Sequence, residues 1–290
     1  MKFNDPLVNL FKKEFRNILD ILRDTELTSY NRAVLNSKLQ EIGRVLINLD
    51  SSTKIWINHV YPKYWDATIK TAQDYFKYIE APIKAYTFTG IHLETVRLAM
   101  EETYYDIARG LRYVDYSAKR IIQESAKEII IQGKIKGITL TESKKILEKK
   151  IENIGVNAII DKGGKRWSLD TYTEMVLRTK TMKLANDTTL NYCIDNGRQY
   201  VVINPHDTEC PFCAPWQGKV VSITMDYDPE IAEGTLDEVE GSGVFHPNCI
   251  CTFSPYVPEL QEYKYNYRDE LIDNLDKASD EGYKEIRNAS

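Results

Sequence analysis

The side chains best equipped for chemistry are five near the C-terminal end: Cys210 and Cys213 in Cys210-Pro211-Phe212-Cys213, and His246, Cys249 and Cys251 in His246-Pro247-Asn248-Cys249-Ile250-Cys251. Two-residue gaps let successive side chains converge on one ion, and thiolate plus imidazole is the donor set of a tetrahedral structural zinc. The expected ligands are Cys210, Cys213, His246 and one of Cys249 or Cys251. The thirty-two residues between the two halves exceed the usual finger spacing. The alternative is a group of reduced cysteines packed as small apolar side chains. Cys193 reads as a buried residue without chemistry.

Two other chemistries can be written for the same residues. Cys210-Pro211-Phe212-Cys213 resembles the active-site dithiol of glutaredoxin-like oxidoreductases, but that reaction needs the first thiolate at a helix N-terminus. Pro215 and Gly218 follow almost at once, and no βαβ pattern surrounds the pair. His206, Asp207, His246 and Asn248 could instead make a metal nuclease site of the HNH kind, although loop Asp and Asn more often make turns. No Walker loop, GxGxxG after a strand, GxSxG elbow or HExxH occurs in the chain. His59 and His92 read as surface or boundary residues of helical segments. The acidic run from Asp226 to Glu240 does not match an EF-hand loop and reads as solvated.

These residues must be held by elements that the hydropathy pattern reveals. From Asp5 to about residue 134 apolar residues recur at helical spacing. One stripe runs Leu7, Leu10, Phe11, Phe15, Ile18, Leu19, Leu22. A second begins near Ser29, carries Val34, Leu35, Leu39, Ile42, Leu46 and Leu49, and is expected to end at Ser51 and Ser52. Pro62 and Pro82 punctuate a Tyr- and Trp-rich stretch that should be kinked or broken into shorter helices. The pattern resumes from Ile91 to about Ile131, a helix of about 60 Å, with Gly133 and Gly137 as its stop. Thr139 or Thr141 caps a further helix through Ile154, with Glu142 in its first turn.

A β-hairpin is expected around Lys162-Gly163-Gly164, where glycine permits positive φ. A helix from Leu169 to about Asn196 follows, stopped by Gly197, and then a short strand over 200–203. Residues 204–258, rich in Pro and Gly, read as a loop-rich module with about three short strands and too little apolar material to hold itself without a staple. The fold class is therefore mainly α: an elongated helical N-terminal domain over 1–154, a small α+β module over 155–258 stapled by a metal, and a charged tail over 259–290, mobile or ordered as a helix by a partner.

The chain has 290 residues, 42% of them hydrophobic and 28% charged, with a net charge of −5. That composition excludes collagen, a disulfide-rich miniprotein and a wholly disordered chain. No apolar run approaches the roughly 18 residues of a membrane helix, and the N-terminus lacks a secretory signal, so the expected product is cytoplasmic. Five cysteines without such a signal favour reduced thiols or a metal over disulfides. Charge is divided unevenly: residues 1–200 carry 32 Lys/Arg against 25 Asp/Glu, and the last ninety carry 6 against 18. Lys144, Lys145, Lys149, Lys150, Lys162, Lys165 and Arg166 could face phosphates, with a solvated helix face as the alternative.

Four motifs in order carry a family resemblance: Gly164-Lys165-Arg166-Trp167-Ser168-Leu169; then Tyr172, Met175-Val176 and Arg178-Thr179; then Cys210-Pro211-Phe212-Cys213-Ala214-Pro215 with Gln217-Gly218-Lys219; and finally His246-Pro247-Asn248-Cys249-Ile250-Cys251. Across about residues 155–257 the chain resembles the phage minor head proteins, also called head morphogenesis or Mu-F-like minor capsid proteins. It departs from them at Lys180, where an acidic residue is usual, and at Ile250, where an arginine is. The resemblance implies a non-enzymatic virion component, made in the host cytoplasm. Its place would be inside the capsid or at the portal vertex, bound to the portal and other head proteins, in support of procapsid assembly, genome packaging or delivery. Contact with packaged DNA would run through the seven basic residues above. Arg178 and Thr179 read as structural, and Trp167 as core. The alternative from another class is a metal-dependent nuclease or toxin-like enzyme.

Overall fold

The structure, a computed structural model, describes residues 6–25, 32–83, 90–136, 139–258 and 266–289. Its elements in chain order are α1 (Pro6–Arg23), α2 (Arg32–Tyr78), α3 (Gly90–Lys136), α4 (Leu140–Ile154), the strands β1 (Ile159–Ile160) and β2 (Arg166–Trp167), α5 (Leu169–Asp195), β3 (Tyr200–Ile203), β4 (Val220–Ser222), α6 (Leu236–Gly241), β5 (Phe253–Tyr256) and α7 (Tyr267–Ala289). The fold is mainly α with two small antiparallel sheets, as the periodicity implies. The chain divides into two compact units, one drawn from Asn4–Ile55 and Tyr104–Glu174, the other from Trp56–Thr103 and Met175–Ser290. Their boundaries fall inside α2, α3 and α5.

In the first unit the apolar stripes become core: Phe11, Ile18 and Leu22 of α1, Ile42, Leu46 and Leu49 of α2, and Ile107, Leu111, Val114, Ile121 and Ile122 of α3 are buried. Tyr104 donates to Asp50 at 2.9 Å, and Arg109 donates to the Tyr172 hydroxyl at 2.9 Å. Gly110 lets that tyrosine approach, since a Cβ there would stand 2.9 Å from its ring. Thr139 caps α4 through a reciprocal pair with Glu142, which satisfies amides that the first helical turn leaves open. The β1–β2 hairpin pairs Ile159 with Trp167 and Ile160 with Arg166. Its turn is held by the Asp161 carboxylate, which accepts from the backbone of Gly163 and Lys165 and from the Trp167 indole at 2.9, 2.9 and 3.0 Å. Gly164 sits at φ +82.

In the second unit the aromatic stretch of α2 is a core of edge-to-face rings. Trp56 meets Tyr61 and Tyr64 at 6.0 and 6.1 Å between centroids, and Phe76 meets Tyr192 at 5.6 Å. Residues 200–257 form a three-stranded sheet in the order β4-β3-β5, both pairs antiparallel, with Val201 opposite Val221 and Pro255. Thr235 and Glu238 cap α6 reciprocally.

Several expectations are corrected here. The stop at Ser51 and Ser52 and the break at Pro62 do not occur, because α2 runs unbroken through all three. A helix-interior proline costs about 3 kcal/mol, which burial of Trp56, Tyr61, Tyr64 and Trp65 outweighs at about 1.5–3 kcal/mol for each large side chain. Gly133 lies inside α3, since one interior glycine costs only about 1 kcal/mol. The charged tail is, from Tyr267 onward, a helix, as one alternative had it, but it is packed on this chain's own core, with Tyr267, Leu271 and Leu275 buried and Asn274 donating to Thr71 at 2.9 Å. His92 is fully buried, with Nε2 2.8 Å from Asp195 and its ring against Trp65. Residues 204–258 contain two strands and a short helix among the described residues. Ser29, Gly137 and 259–265 lie outside the described residues.

Candidate metal centre

Two loops of the second unit bring the thiols and imidazoles together. The first leaves β3 and turns back at Cys210, where the Ala214 amide donates to the Cys210 carbonyl at 2.9 Å and the Trp216 amide to that of Cys213 at 3.1 Å. A single 3-10 turn, Ala214–Trp216, then leads to β4. No α-helix starts at Cys213, so the helix-terminus requirement of a dithiol oxidoreductase is unmet.

The second loop descends from α6 to β5 through Phe245 at φ +65 and Asn248 at φ +68. Positive φ costs a bulky side chain about 1 kcal/mol or more. Packing of the Phe245 ring on Phe253, 4.9 Å between centroids, offsets the strain. The two left-handed residues flank His246 and turn it and Cys249 inward. Helix α5 fastens this loop from behind. Thr179 Oγ1 accepts from the Asn248 amide at 3.0 Å, and buried Asn186 donates to the Cys251 carbonyl at 3.0 Å while accepting from the Phe253 amide at 3.2 Å. Thr179 thus has the structural role read for it, as an acceptor for a loop amide.

All five expected ligands converge. Cys210, Cys213 and His246 offer atoms within 4.8 Å of one another, as do Cys213, Cys249 and Cys251, so Cys213 belongs to both sets. His246 Nε2 lies 3.1 Å from Cys210 Sγ and 3.5 Å from Cys213 Sγ, and the Cys213 and Cys249 sulfurs are 3.7 Å apart. Bond lengths of about 2.3 Å to sulfur and 2.0–2.1 Å to nitrogen put tetrahedral donors about 3.5–3.8 Å apart. Two of the three separations fall in that range and the His246–Cys210 one is shorter, so the donor types and their spacing are those a zinc ion could draw together. Cys213, Cys249 and Cys251 are buried and Cys210 half-buried, in an apolar surround of Val201, Ile203, Val221, Val239 and Phe253.

The environment also prepares two thiolates. Backbone amides of Cys213 and Phe212, with His246, hold the Cys210 thiol down to about 7. Hydrogen bonds from the Cys251 side chain and backbone bring Cys249 down to about 5. Burial and the neighbouring Cys249 charge push Cys213 up to about 12. Cys193, in the same apolar cluster, is raised to about 12 by burial, which suits a thiol without chemistry.

His206 joins the cluster from the first loop, with Nε2 3.2 Å from Cys251 Sγ. Sequence reasoning set it in a nuclease quartet and passed over it as a partner of the thiols, although its four-residue offset from Cys210 is a usable signal. Asn186 was missed altogether, and nothing in its local sequence marks it. The quartet itself is not assembled as an imidazole–carboxylate site. Both imidazoles face sulfur, the Asp207 carbonyl accepts from His206 Nδ1 at 3.2 Å, and Asn248 forms the turn. A 350 Å³ cavity beside the cluster, lined by Thr179, Lys183, Asn186, Asp187, His246 and Cys249 among others, opens between α5 and the second loop.

Of the basic residues, Lys144, Lys145, Lys149, Lys162, Lys165 and Arg166 are exposed on α4 and the hairpin. Lys150 is paired with Glu128 at 3.0 Å, and Lys165 lies over the Trp167 ring.

The family model for phage minor capsid protein 2 matches residues 107–288, a span that holds every residue of the cluster. A protein of Lactococcus phage LL-H described as a structural protein is 32% identical over 117 residues, which cover 39% of this chain and 32% of that protein. The chain thus spans about a third of the length of the curated relative it matches. No solved structure matches it.

Proposed function

The chain belongs to the phage minor capsid protein 2 family, and on that premise we propose that this phage head protein acts at the portal vertex, without catalysis, in procapsid assembly or genome packaging and delivery. The observation that carries the non-catalytic reading is the direction of the two imidazoles. His206 and His246 both point Nε2 at cysteine sulfur, so both imidazoles are engaged as in a closed structural site, whereas a catalytic zinc keeps an open position. In this reading zinc bound by Cys210, Cys213, His246 and Cys249 or Cys251 holds the loop-rich module in one shape, and the module docks on the portal or another head protein. The exposed lysines of α4 and the hairpin, with Arg166, contact packaged DNA without sequence preference, so that binding weakens steeply with salt.

Among the described residues no helix is long and apolar enough to cross a membrane. Quantitative mass spectrometry of purified particles and of procapsids, normalised to the major capsid protein, tests the head assignment. A few to a few tens of copies in both, cross-linking to the portal, is the expected result. Absence from both, or DNA or RNA cleavage with Mg²⁺ or Mn²⁺ that His206→Ala abolishes, would overturn it.

A further inference from the structure

Six donor side chains meet in the cluster, more than one four-coordinate ion can use. The two close triplets share Cys213. His206 completes the symmetry: like His246, it donates Nδ1–H to the carbonyl of the residue after it, at 3.2 Å to Asp207 and 2.8 Å to Pro247. A carbonyl can only accept, so each bond fixes the proton on Nδ1 and leaves the Nε2 lone pair aimed at sulfur. This is how proteins orient an imidazole for a metal.

We propose that the cluster holds two zinc ions bridged by the Cys213 and Cys249 thiolates, one also bound by Cys210 and His246, the other by Cys251 and His206. The proposal rests on the zinc reading above and deepens it. With two thiolates shared, six side chains fill both tetrahedra. The 3.7 Å between the Cys213 and Cys249 sulfurs suits two atoms that face each other across a pair of ions. Charge favours the arrangement as well. Four thiolates balance two divalent cations, whereas a single ion on the same thiolates would leave negative charge in an apolar core, and buried charge is costly unless compensated. Gln217, whose Nε2 lies 3.6 Å from Cys251 Sγ and 3.2 Å from the Cys213 carbonyl, braces the second half.

The test is zinc content by mass spectrometry on the full chain purified anaerobically, followed by withdrawal of zinc with a chromogenic chelator. About two ions per chain are expected. One ion per chain would overturn the bridged pair and leave the single-zinc reading standing, and none would overturn both. His206→Ala, at a half-exposed position, tests the assignment within the pair. The variant should melt as a folded protein and release one of its two ions to the chelator at least about tenfold more readily than the parent does. Release of both ions at the parental rate would remove His206 from the site.

Discussion

The hairpin region over 139–168 and the thiol-rich module over 200–257 are both short of regular structure, yet they are held in different ways. In the hairpin region the cap and the turn are fastened locally, and Lys150 of α4 also reaches Glu128 of α3. Thr139 and Glu142 cap each other, and Asp161 gathers the amides two and four residues on and the indole six residues on. In the module the fastenings are distant: Cys210 meets His246, Cys213 meets Cys249, and Asn186 reaches Cys251 and Phe253 from α5. A turn can be closed by one carboxylate because little chain entropy is at stake, whereas a long loop-rich stretch must tie ends far apart in sequence. The difference explains why soft metal donors collect in one region and not in the other.

Several substitutions can break or sharpen this contrast. The largest effect belongs to Cys213→Ser, which removes the sulfur common to both triplets. Zinc should be lost and the module's cooperative melting with it, while the helical signal of α1–α4 persists in circular dichroism. Asn186→Ala comes next. It strips partners from the buried Cys251 carbonyl and Phe253 amide, a cost of about 2 kcal/mol, read as a lower melting temperature and a weaker hold on zinc. Thr139→Ala removes one half of the α4 cap and should cost about 1 kcal/mol, with zinc content unchanged.

The smallest effect is a pH response confined to the hairpin. The Trp167 indole, with the Lys165 and Gly163 amides, holds the Asp161 carboxyl below its ordinary range. A depressed folded-state value contributes stability that is fully present above the unfolded value of about 4 and is lost as pH falls through the folded one. Amide protection over 159–167, taken relative to the intrinsic exchange rate at each pH, should therefore fall only in acid, and Asp161→Ala should reproduce that loss of protection at neutral pH.

Legibility from sequence follows the same division. The α4 cap, the hairpin turn at Gly163-Gly164, the end of α5 before Gly197 and the limits of β3 were readable because each is decided by a few adjacent residues. The continuity of α2 through Pro62 was not, because the aromatic packing that outweighs the proline is tertiary. The burial of α7 and of His92 depends likewise on partners far along the chain: Thr71 on α2, and Asp195 on α5. Within the site, the donor types and short spacings marked five residues that the fold brings close together. They could not show that His206 approaches Cys251, nor that α5 supplies Thr179 and Asn186 to fasten the second loop, since those contacts exist only once the sheet has formed.

Hydrogen exchange of the full chain with and without a strong zinc chelator tests the central claim, that distant metal donors hold the module while local bonds hold the hairpin. The expected result is loss of amide protection over 200–257 with protection over 139–168 unchanged. Equal protection in both regions after zinc is removed would contradict it.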